Sequence, residues 1–256
     1  MFFEEENIKK KFQDYFVHKM KENNAISLLY NILSVETAYV IGGFFRDFLY
    51  GKNSRDIDII VDIKRTQLIE IISSFCFPHK VNRYGGIKIK LSDLELDIWS
   101  IEDNWAFKNN LVKLNENDKL NSIAKGCFYN YDSLVINLHN FSYNLKYYKD
   151  FVKNNQLDIL QKKSIYKNLN PSVEANIIRA FYIKYRFNSS LSDNTYLYVS
   201  KKLGHLRDKY GNVLSHLNKI KQTYPKYNEL NSAYIECCIE EIKKNNNYNN
   251  QYLLDF

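Results

Sequence analysis

The chain carries, from residue 40 onward, the run Val40-Ile41-Gly42-Gly43-Phe44-Phe45-Arg46-Asp47-Phe48-Leu49-Tyr50-Gly51, and Asp56-Ile57-Asp58 follows it. Residues 38–41 are apolar and predict a short strand, the two glycines end it, and residues 44–50 predict one or two turns of helix. A helix that begins at such a turn leaves backbone N–H groups pointing outward and adds partial positive charge there. The run therefore predicts a turn that can hold phosphate.

A second strand is predicted to begin at Asp56. Side chains alternate along a strand, so Asp56 and Asp58 point to one face while Ile57 and Ile59 point into a core. Two neighbouring carboxylates repel each other unless a cation lies between them. Magnesium suits this position, because it takes oxygen ligands and leaves coordination positions for substrate phosphates.

A third carboxylate comes from a predicted hairpin. Residues 87–91 and 94–98 alternate in hydrophobicity around Ser92-Asp93, which predicts two strands joined by a turn. In the second strand Glu95 and Asp97 share the polar face. We take Asp97 as the third ligand, and Glu95, on the same face, is the alternative.

Together these residues resemble the head domain of the class II tRNA nucleotidyltransferase and poly(A) polymerase family. The glycine pair, the Arg-Asp pair, the further glycine and the two aspartates resemble the motifs of that family over residues 36–99. The segment Arg83-Tyr84-Gly85-Gly86-Ile87-Lys88-Ile89 resembles the entry to its hairpin, and Asp97 stands where the family has its third acidic residue. The resemblance implies an α+β fold, with a small mixed, mostly antiparallel sheet flanked by helices, followed by an all-helical neck and body.

The resemblance also implies an enzyme that transfers a nucleoside monophosphate from a nucleoside triphosphate, ATP or CTP, to an acceptor hydroxyl. Two magnesium ions would clamp the attacking and leaving oxygens, with Asp97 binding the ion beside the attacking oxygen. Arg46 would neutralise charge as pyrophosphate leaves, and Asp47 would have a supporting role. The implied residues are Asp56, Asp58 and Asp97 for metal binding and catalysis, and Gly42, Gly43, Arg46, Asp47 and Arg179 for the nucleotide.

Further along the chain the sequence departs from the family. The next family motif is Arg-Arg-Asp-Phe-Thr-Ile-Asn, and its nearest counterpart, residues 125–130, lacks the arginine pair and the aspartate. A later motif, which reads the base edge, corresponds to residues 174–187, with Asn176 where the family has aspartate. Arg179 could still touch the nucleotide, or this segment could simply be an amphipathic helix with its apolar residues inward. Specific C-C-A addition cannot be inferred from these residues.

The composition sets outer bounds on the protein. Its 256 residues suit two domains, which we predict at 1–140 for the head and 141–256 for the helical neck and shortened body. Lys and Arg number 36 against 29 Asp and Glu, and the net charge of +7 favours a polyanionic partner such as RNA. No DNA-specific motif, disulfide pattern, signal segment or membrane-length run is present in the sequence, so we expect a cytoplasmic location and no membrane partner.

The remaining periodicity predicts helices. We expect them at 5–20 and 26–33 before the sheet and at 64–77 as a crossover. Five more are expected in the second half, at 145–154, 173–188, 194–203, 205–221 and 227–244. Basic residues of these segments could form an RNA-binding face or only a solvated helix surface. They are Lys201, Lys202, Arg207, Lys209, Lys219 and Lys221.

Three functions remain open at this point. The first is transfer to the 3'-hydroxyl of a tRNA-like RNA. The second keeps the chemistry but uses a protein, small-molecule or tRNA acceptor in a regulatory, toxin-like or defence role. The third is a nucleotide-binding protein without turnover, and three converging carboxylates argue against it. The sequence favours the first.

Overall fold

The computed structural model describes residues 5–82, 84–165 and 172–252. The chain divides into two compact units, Met1–Lys149 and Asp150–Phe256. Arg83, in the predicted entry to the hairpin, lies outside the described residues. Within the described ranges, no helix combines the length and the apolar character that a bilayer crossing requires.

The described part of the first unit contains a seven-stranded sheet with the strand order β3-β4-β5-β2-β1-β6-β7. The strands are β1 (Ala38–Ile41), β2 (Asp56–Val61), β3 (His79–Val81), β4 (Ile87–Lys90), β5 (Glu95–Ser100), β6 (Val135–Asn137) and β7 (Tyr143–Asn144). The β2–β5 pair is parallel, and the other neighbouring pairs are antiparallel. The predicted α+β fold with a mixed, mostly antiparallel sheet is thus confirmed.

Helices surround this sheet. They are α1 (Glu5–Glu22), α2 (Ile26–Val35), α3 (Gly43–Leu49), α4 (Arg65–Ser73), α5 (Trp105–Lys108), α6 (Lys119–Gly126) and α7 (Lys146–Asn154), the last of which continues into the second unit. The helices predicted at 5–20, 26–33 and 64–77 correspond to α1, α2 and α4. A helix as short as α3 is not stable by itself in water, so packing has to hold it.

Aromatic packing anchors α3 on α1. Phe44 and Phe45 of α3 are fully buried, and their rings lie 6.0 and 5.0 Å from the ring of Phe12. Phe48 adds a third ring at 5.1 Å from Phe12. Burying a side chain of this size stabilises the fold by about 1.5–3 kcal/mol. The cluster fixes the direction in which α3 leaves the sheet, and hence the position of the glycine turn.

The second unit is mostly helical. Its further helices are α8 (Val173–Phe187), α9 (Asp193–Tyr210), α10 (Val213–Lys221) and α11 (Ser232–Tyr252), and a short parallel pair joins β8 (Gln156–Leu157) to β9 (Ser190–Leu191). The break predicted at Gly204 is wrong. Buried Leu203 and Leu206 carry α9 through that glycine, and the chain turns at Gly211, where φ is +71°. The side chain of Asn212 then caps α10 by accepting from the N–H of Ser215.

Candidate active site

The glycine turn joins β1 to α3. Gly42 has φ of 69° and ψ of −124°, a conformation that side-chain-bearing residues rarely adopt, and its N–H donates to the carbonyl of Leu134 at 2.8 Å. α3 begins at Gly43, so the N–H groups of its first turn have no acceptor within the helix. The turn presents these donors and the positive end of the helix next to the end of β1.

The carboxylates lie in two rows on the two central strands. In the parallel register of β2 and β5, Asp58 pairs with Asp97, and Asp56 pairs with Glu95. All four side chains share one face of the sheet, about 4.8 Å apart from strand to strand, while the alternate residues are buried below. Asp58 also pairs with Ile41, the last residue before the glycine turn. The register therefore brings the three predicted metal ligands together beside the turn.

A lysine that the sequence analysis overlooked lies on the same face. Lys88 of β4 pairs with Asp97 in the antiparallel register, and its Nζ is 3.2 Å from Asp97 Oδ2 and 3.1 Å from Glu95 Oε2. The signal was available in the sequence, because the predicted hairpin puts Ile87 and Ile89 inward and hence Lys88 outward. The third carboxylate of the site thus has a cationic neighbour.

Burial and charge shift the pKa values of Lys88 and Asp97 in opposite directions. Burial raises the pKa of Asp97, the charge and hydrogen bond of Lys88 oppose this, and the net pKa lies above its ordinary value. For Lys88, burial lowers the pKa, but the hydrogen bond to Glu95 and the charge of Asp97 outweigh this, so the net pKa is raised. The lysine is therefore held in its charged form.

Arg46 lies against the segment that precedes β6. Its Nη1 is 3.5 Å from Asp132 Oδ1, its Nη2 is 3.6 Å from Asp47 Oδ1, and its guanidinium carbon is 4.3 Å from the centre of the Tyr131 ring. Nη1 is buried and makes no hydrogen bond within the described residues. The sequence pattern from Tyr131-Asp132 to Ile136 predicts a hairpin, but Asn130–Asp132 form a turn of 3-10 helix, and the hairpin comes later, between β6 and β7. A phosphate bound at Arg46 would share the guanidinium with the carboxylate of Asp132.

A hydrophobic cluster closes the far end of the carboxylate face. Tyr39 of β1, Ile60 of β2 and Trp99 of β5 pack there against Ile123 of α6. The Trp99 ring also covers Gly86, where an added Cβ would lie 2.5 Å from the indole. The face is thus covered beyond the carboxylates, and the charged residues occupy its other end, beside the glycine turn.

An ion pair fixes the loop that enters β4. The guanidinium of Arg65, at the start of α4, forms a bidentate pair with the carboxylate of Asp103, whose side chain is only 2% exposed. Gly85 has φ of +100°, and an added Cβ there would lie 2.5 Å from Asp103 Oδ2. Glycine is therefore required at this position, both by the conformation and by the contact with the ion pair.

The predicted nucleotide contact of Arg179 and the predicted basic face of α9 and α10 both belong to the second unit. Arg179 is half-buried on α8, and its contact with a nucleotide stays a prediction. The basic residues of α9 and α10 do not share one exposed face. Lys202 is buried, and that burial, followed by the charge of Lys201, lowers its pKa. Lys221 donates to the carbonyl of Leu230 at 2.6 Å.

The donor set suits a hard cation, although the side chains are not yet arranged around one. Carboxylate oxygens are the ligands that magnesium prefers. Within the described ranges, no three acidic, histidine or cysteine side chains converge closely enough to hold an ion. Rotation of the aspartates of β2 and β5 about their side-chain bonds would be needed, since their backbone positions are already adjacent.

The comparisons with known proteins point to one kind of domain. Residues 38–124 match a family model described as the poly A polymerase head domain. A CCA-adding enzyme in complex with CTP has a TM-score of 0.58 at 18% identity, and the match covers 83% of this chain and 49% of that one. No curated protein matches the sequence.

Two further solved structures resemble the chain. A tRNA nucleotidyltransferase complexed with a primer tRNA and an incoming ATP analogue has a TM-score of 0.56 at 19% identity, over 84% of this chain and 60% of that one. The Thermotoga maritima CCA-adding enzyme complexed with tRNA has a TM-score of 0.57 at 19% identity, over 82% and 47%. The chain thus spans about half the length of these proteins and shares their fold. Over residues 38–124 the chain is thus similar to the poly A polymerase head domain, and for this part of the chain the predicted resemblance to the class II tRNA nucleotidyltransferase and poly(A) polymerase family is confirmed.

Proposed function

We propose that this chain is a magnesium-dependent nucleotidyltransferase that joins a nucleoside monophosphate to the 3'-hydroxyl of a tRNA-like RNA. The acceptor oxygen forms a bond to the α-phosphorus of ATP or CTP, the bond from that phosphorus to the bridging oxygen breaks, and pyrophosphate leaves. The hydroxyl proton is released to solvent. The observation that carries the proposal is the pairing of Asp58 with Asp97 beside the turn at Gly42.

Each residue of the face has a role in this proposal. Asp56, Asp58 and Asp97 would hold two magnesium ions, which when bound supply positive charge to the attacking and leaving oxygens. The N–H groups at Gly42-Gly43 and the start of α3 would bind the triphosphate. Arg46, next to this turn, would face the departing pyrophosphate, and Asp47 and Asp132 would hold its guanidinium in place.

Observations outside the carboxylate face support this choice of substrates. The solved structures of similar fold include complexes with CTP, with ATP and with tRNA. The net charge of +7 suits a polyanionic acceptor. Arg179 on α8 would contribute to base recognition. These points favour a nucleoside triphosphate as donor and a tRNA-like RNA as acceptor.

A second candidate keeps the reaction and changes the acceptor to a protein or a small molecule. Two observations favour it. Residues 125–130 lack the arginine pair and the aspartate of the related motif. The chain also spans about half the length of the solved tRNA-processing enzymes that it resembles. We rank this candidate second because neither observation concerns the carboxylate face itself.

The test supplies magnesium and each α-labelled nucleoside triphosphate in turn to the purified protein, with total RNA in one arm and cell lysate in another. Label on RNA supports the first function, label on protein or on a small molecule supports the second, and no label in any arm contradicts both. Asp58→Asn should abolish the label. Asp93→Asn is the matched control, because Asp93 lies in the turn between β4 and β5 and outside the carboxylate face.

A further inference from the structure

Two side chains of α3 and its C-terminal cap, Arg46 and Tyr50, each contact a tyrosine from another part of the first unit. The guanidinium carbon of Arg46 lies 4.3 Å from the centre of the Tyr131 ring, and the Tyr50 hydroxyl accepts a hydrogen bond from the Tyr148 hydroxyl at 2.9 Å. The rings of Tyr131 and Tyr148 are 6.2 Å apart. These side chains therefore form a closed set of contacts, which ties α3 to the turn before β6 and to the start of α7.

The contact between Arg46 and Tyr131 takes place largely out of solvent. Tyr131 and Tyr148 both belong to the buried core, and the Arg46 side chain is 15% exposed. A cation over an aromatic ring is attracted more strongly at a desolvated site than at an exposed one. The hydrogen bond between Tyr148 and Tyr50 restrains the ring that packs against Tyr131. The Tyr131 ring is therefore a well-supported contact of the guanidinium.

The two carboxylates beside Arg46 leave part of its hydrogen-bonding capacity unfilled. Nη1 is 3.5 Å from Asp132 Oδ1 and Nη2 is 3.6 Å from Asp47 Oδ1, beyond the roughly 2.7–2.9 Å of a charge-assisted hydrogen bond. Nη1 is buried and makes no hydrogen bond within the described residues. A buried donor without an acceptor is unfavourable, and a phosphate oxygen would supply the acceptor. Contact with a ring holds the guanidinium without taking up its N–H groups.

The guanidinium also lies next to the glycine turn. A Cβ added to Gly43 would be 3.4 Å from Arg46 Nη2, so the side chain reaches back to the start of α3. The backbone N–H groups at this end of the helix favour an anion. The charge that Tyr131 holds is thus beside the donors that would bind the triphosphate.

We propose that Tyr131 is a positioning residue for nucleotide binding, whose ring holds the Arg46 guanidinium at the glycine turn before the triphosphate arrives. This rests on the proposed function and adds to it the residue that fixes the phosphate-binding arginine. An arginine already in place loses less side-chain freedom on binding, so the ring raises the affinity for the triphosphate. Because Arg46 serves the phosphates and not the base, the effect is the same for ATP and CTP.

The test measures nucleotide binding and metal binding separately, without turnover. The α,β-methylene analogues of ATP and CTP, which cannot be cleaved at the reacting bond, are titrated with magnesium into the free protein by calorimetry. Tyr131→Leu removes the ring, and we expect the affinity for both analogues to fall by about 3-fold to 30-fold. Tyr131→Phe keeps the ring and should stay within about 2-fold of the wild type. The affinity for Mn²⁺ alone, read from the electron paramagnetic resonance signal of the unbound ion, should be the same in all three proteins.

A double variant shows whether Tyr131 acts through Arg46. Arg46→Met removes the guanidinium and should itself weaken binding of the analogues, which is followed here by displacement of a fluorescent ATP analogue. Adding Tyr131→Leu should then change the affinity by less than about 2-fold, because the ring no longer has a cation to hold. If Arg46→Met binds no nucleotide at all, Arg46 is essential to the site, and the difference between Tyr131→Leu and Tyr131→Phe decides the role of the ring.

The matched control is Tyr39→Leu. Tyr39 is a buried tyrosine of the same unit, in the hydrophobic cluster at the far end of the carboxylate face. This variant should lose stability but keep its affinity for the analogues. Circular dichroism checks the fold of each protein, and Tyr131→Met is a second variant without a ring if Tyr131→Leu does not fold.

The outcomes separate this inference from the function on which it rests. Four results would each overturn the role of Tyr131: unchanged affinity in folded Tyr131→Leu, an equal loss in Tyr131→Phe, an equal loss in Tyr39→Leu, or a further loss in the double variant. In those cases the wild type still binds the analogues and Mn²⁺, and the proposed function stands. A wild type that binds neither would overturn both.

Discussion

Asp58 and Asp97 pair directly across the parallel strands β2 and β5, and Lys88 pairs with Asp97 from the other side. The middle residue of this row therefore has an acidic and a basic neighbour on the same face. This arrangement joins residues that are far apart in the sequence.

Replacing Asp58 should stop transfer without unfolding the protein. Asp58→Asn keeps the shape of the side chain but removes a charge next to Asp97, so we expect the catalytic rate constant to fall by about 10²–10³-fold or more. The free energy of unfolding, measured with urea, should stay within about 0.5 kcal/mol of the wild type, because surface changes rarely exceed this. Single-turnover transfer of labelled nucleotide measures the first, and a rate near that of the wild type would contradict the assignment.

A side chain at Gly42 should damage both the turn and the nucleotide site. Gly42→Ala forces a residue with a Cβ into φ of 69° and ψ of −124°, which costs about 1–3 kcal/mol. Nucleotide affinity, measured by calorimetry, should fall as the donors at the start of α3 are displaced.

The control for this change is Gly51→Ala. Gly51 also has a positive φ, of +63°, and an added Cβ there meets no atom within 4 Å. It should lose stability from backbone strain but retain nucleotide affinity. If both variants bind the nucleotide with equal affinity, the turn at Gly42 is not part of the nucleotide site.

The aromatic cluster should be the main support of α3. Phe12 is fully buried and contacts the rings of Phe44, Phe45 and Phe48, so Phe12→Ala leaves a cavity and should destabilise the first unit by about 3–5 kcal/mol. Denaturant unfolding followed by circular dichroism measures this. Tyr30→Ala, at a side chain that is 59% exposed, should change the free energy of unfolding by less than about 0.5 kcal/mol. Similar losses in the two variants would count against the cluster.

The ion pair of Arg65 and Asp103 should give a pH-dependent stability. Burial raises the pKa of Asp103, but the hydrogen bond and charge of Arg65 outweigh it, so the net pKa lies below its ordinary value. An acid with a lowered pKa contributes stability above its unfolded pKa and loses it as the pH falls through the folded value. Asp103→Asn should therefore cost about 3 kcal/mol near pH 7, and this difference should shrink below about pH 4.

The measurement is urea unfolding of both proteins from pH 7 down to pH 3. Glu116→Gln is the control, because Glu116 pairs with Lys119 at a side chain that is 71% exposed and should matter by less than about 1 kcal/mol. A constant difference between wild type and Asp103→Asn at all pH values would exclude the ion pair as its cause.

The sequence predicts the helices and strands of the first unit better than it predicts which strands pair with one another. Alternation places Asp56 and Asp58 on one face and Asp97 on the polar face of its hairpin, and the structure has both strands. The parallel pairing of β2 with β5 cannot be read from alternation, because it depends on how the helix and strands between them pack. Alternation also places Lys88 outward, but its contact with Asp97 depends on the register of β4 against β5, which alternation does not give.

The errors at turns have local causes. Gly204 suggests a helix end, but the buried leucines on either side of it hold α9 together, and the helix ends instead at Gly211, where the glycine adopts a positive φ. The segment around Asp132 forms a short 3-10 turn against Arg46. Its partner is distant in sequence, so only the folded chain reveals it.

The position of Lys88 also bears on the charge repulsion that arises when β5 pairs with β2. The β4–β5 hairpin is local and can form early, whereas the pairing of β5 with β2 is non-local and slower to form. Docking β5 brings Glu95 and Asp97 directly against Asp56 and Asp58, and like charges in paired positions oppose each other. Because Lys88 lies on the same hairpin as Asp97, its positive charge is already next to Asp97 when β5 pairs with β2. The contact that completes the charged face thereby also lowers the repulsion that would slow its assembly.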